Sequence, residues 1–271
     1  MPELPEVETI KRDLEKELTG AVLKKVFIHN EKFLKRYHLS EGDFKVIEGK
    51  PLENLHRKGK FLSLLFDSTA LIFHLGLTGA LILNPAVSQS SHQHHDLLTL
   101  LFDKGRLLFK DLRKFGKVFL LSRKDLPEFL GHIGTDALEI SPEDFKRLIS
   151  HHRGRIKEFF LSQKYIAGLG NIYTDELLFR ARISPFRRGF DLSEEEVLKL
   201  YQEMRTLLTE AIALRGSSIR DYVDGEGKRG HFQERHLVYG KAGSPCPICQ
   251  TPLKRTIIAQ RGTTYCPNCQ K

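Results

Sequence analysis

Apolar residues recur at helical spacing through the first eighteen positions and then switch to short β-type runs, a change of period that divides the chain. Leu4, Val7, Leu14 and Leu18 fall near one helix face over residues 3–18, with acidic side chains in the first turn. Pro2 and Pro5 sit where a helix start tolerates missing N–H groups. From about 21 to 122 the pattern predicts strands over 21–29, 61–66, 70–75, 97–102, 106–110 and 117–121. Turn residues such as Asp103-Lys104-Gly105 separate several of them, so an antiparallel sandwich or barrel is expected. Residues 85–96 are polar and histidine-rich and read as an exposed loop. From about 125 to 215 the chain reads as helical. Its best-marked helix starts at Ser193, where Ser193 and Glu196 form a capping-box pattern, and stops before Gly216. The glycine-bearing polar stretch 216–230 reads as a mobile loop.

Composition narrows the class. A chain of 271 residues can hold two domains with separate cores. No apolar run is long enough to span a bilayer, and the start is acidic where a signal peptide is basic and then apolar, so a cytoplasmic protein is expected. The net charge of +9 draws the molecule toward polyanions, although a basic surface can serve solubility alone. Cysteine usage adds a second feature. Cys246 and Cys249 form one Cys-x2-Cys pair, and Cys266 and Cys269 form another sixteen residues on. In a reducing compartment that spacing points to one tetrahedral zinc ion rather than disulfides. Four thiolates leave the ion no open position, so its role is structural.

The first six residues carry candidate chemistry. Initiator methionine is normally removed before proline, which leaves Pro2 with a free secondary amine. At a helix start the positive end of the macrodipole favours the neutral, nucleophilic form. Such an amine can attack a sugar C1′ and form an iminium ion without any other cofactor. Glu3 and Glu6 are three apart and share a helix face beside it, placed for acid or base work. Taken alone, the same residues are better read as a routine acidic helix start, since many helices begin this way.

Six segments in order change that balance: Met1-Pro2-Glu3-Leu4-Pro5-Glu6, Arg57-Lys58-Gly59-Lys60-Phe61, His74-Leu75-Gly76, Asp111-Leu112-Arg113-Lys114-Phe115-Gly116, Gly168-Leu169-Gly170-Asn171-Ile172-Tyr173 and Gly216-Ser217-Ser218, followed by the paired cysteines. Together they span essentially the whole chain, and the sequence resembles the bacterial formamidopyrimidine-DNA glycosylases of the formamidopyrimidine-DNA glycosylase/endonuclease VIII family. The resemblance implies an α+β fold: an N-terminal helix with an antiparallel β-sandwich domain over 2–122, a helical helix-two-turn-helix domain over 123–215, a lesion-recognition loop and connector over 216–242, and a zinc ribbon over 243–271.

It also implies roles. Pro2 resembles the nucleophile that displaces the damaged base and forms the Schiff base, Glu3 the general acid that helps open the sugar ring, and Glu6 a supporting carboxylate. Lys60 resembles the hairpin lysine that holds a phosphate beside the target. The family then eliminates both the 3′ and 5′ phosphates. Flipping a nucleotide out of the duplex leaves a hole that must be filled. Arg113 matches the arginine facing the orphaned cytosine and Phe115 the aromatic wedge. Leu77 stands where methionine is usual, keeping the apolar volume with less flexibility. His94, Lys157, Asn171 and Arg261 match residues near the DNA backbone. Ser218, Arg220 and Tyr222, in the loop that resembles a lid over everted 8-oxoguanine, are candidate base contacts. A second metal at His92, His94, His95 and Asp96 is the weaker reading of that cluster, since one loop rarely preorganises a coordination shell.

The expected activity is therefore that of a bifunctional glycosylase and lyase acting on oxidised purines in double-stranded DNA, with one structural zinc, no catalytic metal and no soluble cofactor, and monomeric by default. Two alternatives stand beside it. The endonuclease VIII type, which prefers oxidised pyrimidines, typically begins Pro-Glu-Gly-Pro-Glu and lacks the Arg-x-Phe pair, so Leu4, Arg113 and Phe115 favour the purine reading. A non-catalytic DNA-binding protein would share the charge and the zinc ribbon but not the free amine.

Overall fold

The computed structural model describes residues 1–84 and 94–271. Most of the expected histidine-rich loop, including His92, lies outside the described residues. The chain divides into two compact units, Met1–Gly131 with Leu214–His231 and His132–Ala213 with Phe232–Lys271.

In the first unit, helix α1 (Leu4–Leu18) precedes the strands β1 (Leu23–Ile28), β2 (Asn54–Lys58), β3 (Phe61–Phe66), β4 (Thr69–His74), β5 (Gly79–Leu83), β6 (Asp96–Phe102), β7 (Gly105–Asp111) and β8 (Lys117–Ser122), with a short α2 (Glu31–Lys35) after β1 and α3 (Leu126–Gly131) after β8. The strands form two antiparallel four-stranded sheets, ordered β1-β6-β7-β5 and β2-β3-β4-β8. Period-two positions of both sheets meet in one core. Leu62, Leu64, Leu71 and Phe73 come from one sheet, and Leu81, Leu98, Leu100, Leu107 and Phe109 from the other. Phe73 and Phe109 meet edge to face at 5.2 Å between ring centroids. Helix α1 closes the same core with Val7, Ile10, Leu14 and Leu18, each fully or almost fully buried. At roughly 1.5–3 kcal/mol for each such side chain, this helix is held by its apolar face rather than by propensity.

The strand expectations fall on β1, β3, β4, β6, β7 and β8. Two further strands of this unit, β2 and β5, lie outside those expectations. In β2 the inward positions are Leu55 and Arg57, so a buried arginine hides the alternation. In β5 every residue is buried, and its apolar run follows directly on the turn containing Gly76.

The second unit is helical at its centre. Short strands β9 (Thr135–Asp136) and β10 (Ile166–Ala167) pair in parallel around α4 (Pro142–Ser150) and α5 (Ile156–Leu161), and α6 (Asn171–Ala181) and α7 (Glu194–Ala213) follow. The capping box that begins α7 forms as expected: the Glu196 N–H donates to Ser193 Oγ at 3.2 Å, and the Ser193 N–H to Glu196 Oε2 at 2.8 Å. Helix α6 is buried nearly all round, which marks it as the scaffold of this unit. The zinc-ribbon hairpin, β11 (Lys254–Ile258) and β12 (Arg261–Tyr265), ends the chain.

Candidate active site and nucleic-acid interface

Pro2, Glu3 and Glu6 are all buried at the start of α1. The Glu3 N–H donates to Glu6 Oε2 at 2.7 Å, so the helix's first turn aims Glu6 back at its own beginning. The other oxygen, Oε1, accepts the Ser217 N–H at 2.7 Å. With both oxygens engaged by backbone donors, Glu6 is a fixed acceptor in the middle of the cluster.

The segment that supplies Ser217 is pinned to α1 rather than left loose. Arg215 pairs with Asp13 at 2.7 Å and with Asp224 at 2.6 Å, and the Gly225 N–H donates to Asp13 at 3.0 Å. Within it the Ser218 hydroxyl donates to the Tyr222 carbonyl at 2.8 Å and accepts the Gly230 N–H at 2.9 Å. Tyr222 belongs to the apolar core, and its hydroxyl donates to the Glu6 carbonyl at 3.4 Å. Of the three residues matched to base recognition, Ser218 and Tyr222 therefore point inward and Arg220 is exposed, beside the exposed Ile219.

Lys60 lies in the β2–β3 hairpin turn, largely buried. The closing pair is Lys58 and Phe61, and Gly59 (φ +56°) is the only central residue with positive φ, as a type II′ turn requires. Arg57 locks the turn from below, donating from Nη1 to the Gly59 carbonyl at 3.1 Å and from Nε to Glu8 Oε2 at 2.8 Å. Burial pushes the Glu8 carboxyl up, but the Arg57 and Arg12 hydrogen bonds outweigh it and leave the group below its usual range. His74, paired across the sheet with Phe61, accepts the Gly76 N–H at Nδ1 (3.1 Å). Burial, with Lys60 and Lys117 adding to it, lowers its pKa to about 4, so the ring is neutral near pH 7.

Leu77 sits in the β4–β5 turn, half-buried, and Arg113 and Phe115 sit in the β7–β8 connection. The fully buried Asp111 organises that connection. Its Oδ2 accepts the Gly116 N–H at 2.7 Å, and its Oδ1 accepts the Arg113 N–H at 3.1 Å together with the Thr78 hydroxyl. Above this buried carboxylate, Phe115 is 51% exposed and the Arg113 guanidinium lies 4.7 Å from its ring centroid. The sequence shows Asp111 only as part of a motif; its role becomes visible with its burial and its partners. His94 is exposed, next to His95.

In the second unit, the Gln163 side chain shapes the glycine turn before α6: its Oε1 accepts the Gly168 N–H at 2.9 Å, and its Nε2 donates to the Leu169 carbonyl at 2.5 Å. Asn171 donates from Nδ2 to the Gly262 carbonyl in β12 at 2.9 Å. Lys157 is fully buried and pairs with Asp175 at 2.5 Å. Arg261 is exposed, immediately after the β11–β12 turn at Ala259 and Gln260. Zinc fits the four cysteines. Tetrahedral coordination at about 2.3 Å places sulfurs about 3.8 Å apart. Here Cys246 and Cys269 Sγ are 3.9 Å apart, Cys249 and Cys266 Sγ are 3.5 Å apart, and all four lie within 4.8 Å of one another. Among the described residues no other His, Cys, Asp or Glu group has a metal-site arrangement.

Three family descriptions match the chain: the formamidopyrimidine-DNA glycosylase N-terminal domain over residues 1–118, the formamidopyrimidine-DNA glycosylase H2TH domain over 133–223, and the zinc finger found in FPG and IleRS over 243–271. The chain is 40% identical to the formamidopyrimidine-DNA glycosylase of Solibacter usitatus over 276 aligned residues, covering 100% of both. It is 37% identical to that of Bacillus anthracis, covering 100% of this chain and 99% of the relative. Among solved structures it is similar to a Lactococcus lactis FPG mutant in complex with Fapy-dG-containing DNA, with TM-score 0.90 and 34% identity over 100% of both chains. It is also similar to Lactococcus lactis Fpg bound to abasic-site DNA, with TM-score 0.89, 34% identity and 99% of both chains covered.

Proposed function

The chain belongs to the formamidopyrimidine-DNA glycosylase family, and on that premise we propose that it is a bifunctional DNA glycosylase and lyase that excises oxidised purines, 8-oxoguanine and formamidopyrimidines, from duplex DNA. The observation that carries the reading is the buried cluster of Pro2, Glu3 and Glu6 on the first turn of α1, with Glu6 clamped by the Glu3 and Ser217 N–H groups.

In this reading the Pro2 amine, once Met1 is removed, attacks C1′ of the damaged nucleotide and the C1′–base bond breaks. Glu3 protonates the ring oxygen, the C1′–O4′ bond opens and the amine loses its proton, leaving an iminium ion. Successive eliminations then release the 3′ and 5′ phosphates. Glu6 holds the turn that carries the amine, and Lys60 receives the phosphate beside the target. Arg113, Phe115 and Leu77 fill the duplex after the base is everted, with Arg113 opposite the orphaned cytosine. His94, Asn171 and Arg261 serve the DNA backbone, and the exposed Arg220, with Ser218 and Tyr222 behind it, shapes the base pocket. The four cysteines hold one zinc ion, whose contribution is the fold of the hairpin that presents Arg261. We take the protein to act as a monomer in the cytoplasm.

The purine preference rests on Leu4, Arg113 and Phe115, which set the chain apart from the pyrimidine-specific pattern. The test is borohydride trapping of the processed protein on a duplex with one 8-oxoguanine opposite cytosine. An adduct mapped to Pro2 by peptide mass is the expected result. Tight binding without an adduct, from protein with a verified free Pro2, would instead point to a pyrimidine lesion or a non-catalytic DNA-binding protein.

A further inference from the structure

The β11–β12 ribbon has only two strands, and a two-stranded ribbon is marginal when its outer edge is unpaired. That edge of β12 is not left to solvent. Gly262 and Thr264 are two apart, so their outward backbone groups lie on the same side of the strand. Side chains from the helices meet both. The Gly262 carbonyl accepts Asn171 Nδ2 at 2.9 Å and Lys157 Nζ at 3.4 Å, while the Thr264 N–H donates to Asp175 Oδ2 at 3.0 Å. The other Asp175 oxygen accepts Lys157 Nζ at 2.5 Å. Asn171 and Asp175 are four apart and share one face of α6. A carboxamide, an ammonium and a carboxylate thus take the place of a third strand.

We propose that Asp175 is the positioning residue of the phosphate clamp: by holding Lys157 and the Thr264 N–H together it fixes the outer edge of β12 against α6 and so aims Arg261, the residue next to the doubly tethered Gly262. Lys157, read from the sequence as a phosphate contact, acts through this tether, since its side chain is fully buried. A carboxylate is needed because the two tasks call for two acceptor oxygens and a negative charge. An asparagine offers one oxygen and no charge, and so leaves either the strand edge or the buried ammonium without its partner.

The inference rests on the proposed reading only where it names DNA as what Arg261 grips; the tether itself is tested without DNA. In zinc-loaded full-length protein, Asp175→Asn should raise amide hydrogen exchange at Thr264 at least tenfold with zinc content unchanged. On duplex DNA, damaged or not, it should weaken binding about tenfold and lower the slope of log affinity against log salt by about one, the value of one lost phosphate contact. Arg261→Ala should do the same, and the double variant should be no worse than Arg261→Ala alone. Because Asp175→Asn strands a buried charge, a Lys157→Met/Asp175→Leu variant serves as the second probe. It removes both charges, keeps the packing, and should show the same lost salt slope with the fold retained. Unchanged exchange at Thr264 would overturn the proposal, as would a full salt slope in either variant. Wild-type protein that bound no duplex would refute the proposed function, while the exchange result would still decide the tether.

Discussion

The Glu6 carboxylate and the Ser217 N–H meet at 2.7 Å across 211 residues of chain, which ties the loop after α7 to the first turn of α1. The residue before Ser217 is Gly216, with φ +78° and its backbone against the same carboxylate; a Cβ built there would stand 2.7 Å from Glu6 Oε1. Nothing at that spot can yield except Glu6 itself or the loop.

Gly216→Ala should therefore act on catalysis more than on binding. The displaced Glu6 loses its Ser217 donor, and single-turnover base excision should fall by at least ~tenfold, about 1.4 kcal/mol of barrier. Duplex affinity should change little. Excision at the wild-type rate would mean that the Glu6–Ser217 contact does not matter for the chemistry.

The Glu8–Arg57 pair sits almost out of water below the Lys60 turn. Arg57→Met leaves Glu8 without its main partner and the Gly59 carbonyl without its donor, and should cost on the order of 3 kcal/mol in urea unfolding. Excision should weaken as the Lys60 turn loosens. A stability loss under about 0.5 kcal/mol would show that Arg12 and water replace Arg57 without penalty.

His74 sets an acid limit. In the fold its pKa is lowered to about 4 from an ordinary 6.5, so below pH 6.5 the unfolded chain takes up a proton that the folded ring refuses. Stability present above pH 6.5 should fall as the pH drops toward 4, by on the order of 3 kcal/mol at most. Comparing urea midpoints at pH 7.5 and 4.5 for wild type and His74→Asn checks this. The variant should lose that part of the acid slope, and an identical slope in both proteins would exclude His74 as its source.

Zinc removal should release the ribbon hairpin, because the four thiolates are what join its two Cys-x2-Cys knuckles. After chelation, limited proteolysis should cut within 243–271, and duplex affinity should drop at least ~tenfold as the Arg261 clamp is lost. Unchanged affinity in protein shown to be metal-free would separate DNA binding from the hairpin.

The parts of the fold written in local periodicity were legible in the sequence: the α1 face of Leu4, Val7, Leu14 and Leu18, the Ser193 capping box, and the cysteine spacing. What escaped was written in long-range pairing. Arg57 stands in the sequence only as part of a motif, and its role shows once Glu8 and the Gly59 carbonyl are seen on either side of it. Lys157 is matched from the sequence to a lysine near the DNA backbone, and only Asp175 and Gly262, 18 and 105 residues away, show that it faces inward. Likewise the polar, glycine-bearing composition of 216–230 suggests a loose loop, while Arg215, Asp13 and Asp224 hold it down. Buried charges break the hydrophobic pattern at these places, and a pattern cannot name a partner.

Phe115 offers the cleanest separation of function from stability. Half of its surface is exposed on a connection that the buried Asp111 already holds, so the folded protein gains little from the ring. Phe115→Ala should leave unfolding stability within about 0.5 kcal/mol of wild type. Its value lies in the duplex, where an inserted aromatic offsets part of the few kcal/mol lost when a base is unstacked. Excision from a fully paired duplex should accordingly slow by ~tenfold or more, while a lesion in an unpaired bubble, where little stacking remains to be broken, should be processed at nearly the wild-type rate. Equal slowing on the two substrates would assign Phe115 to the chemical step or to general binding, and not to filling the space left by the everted base.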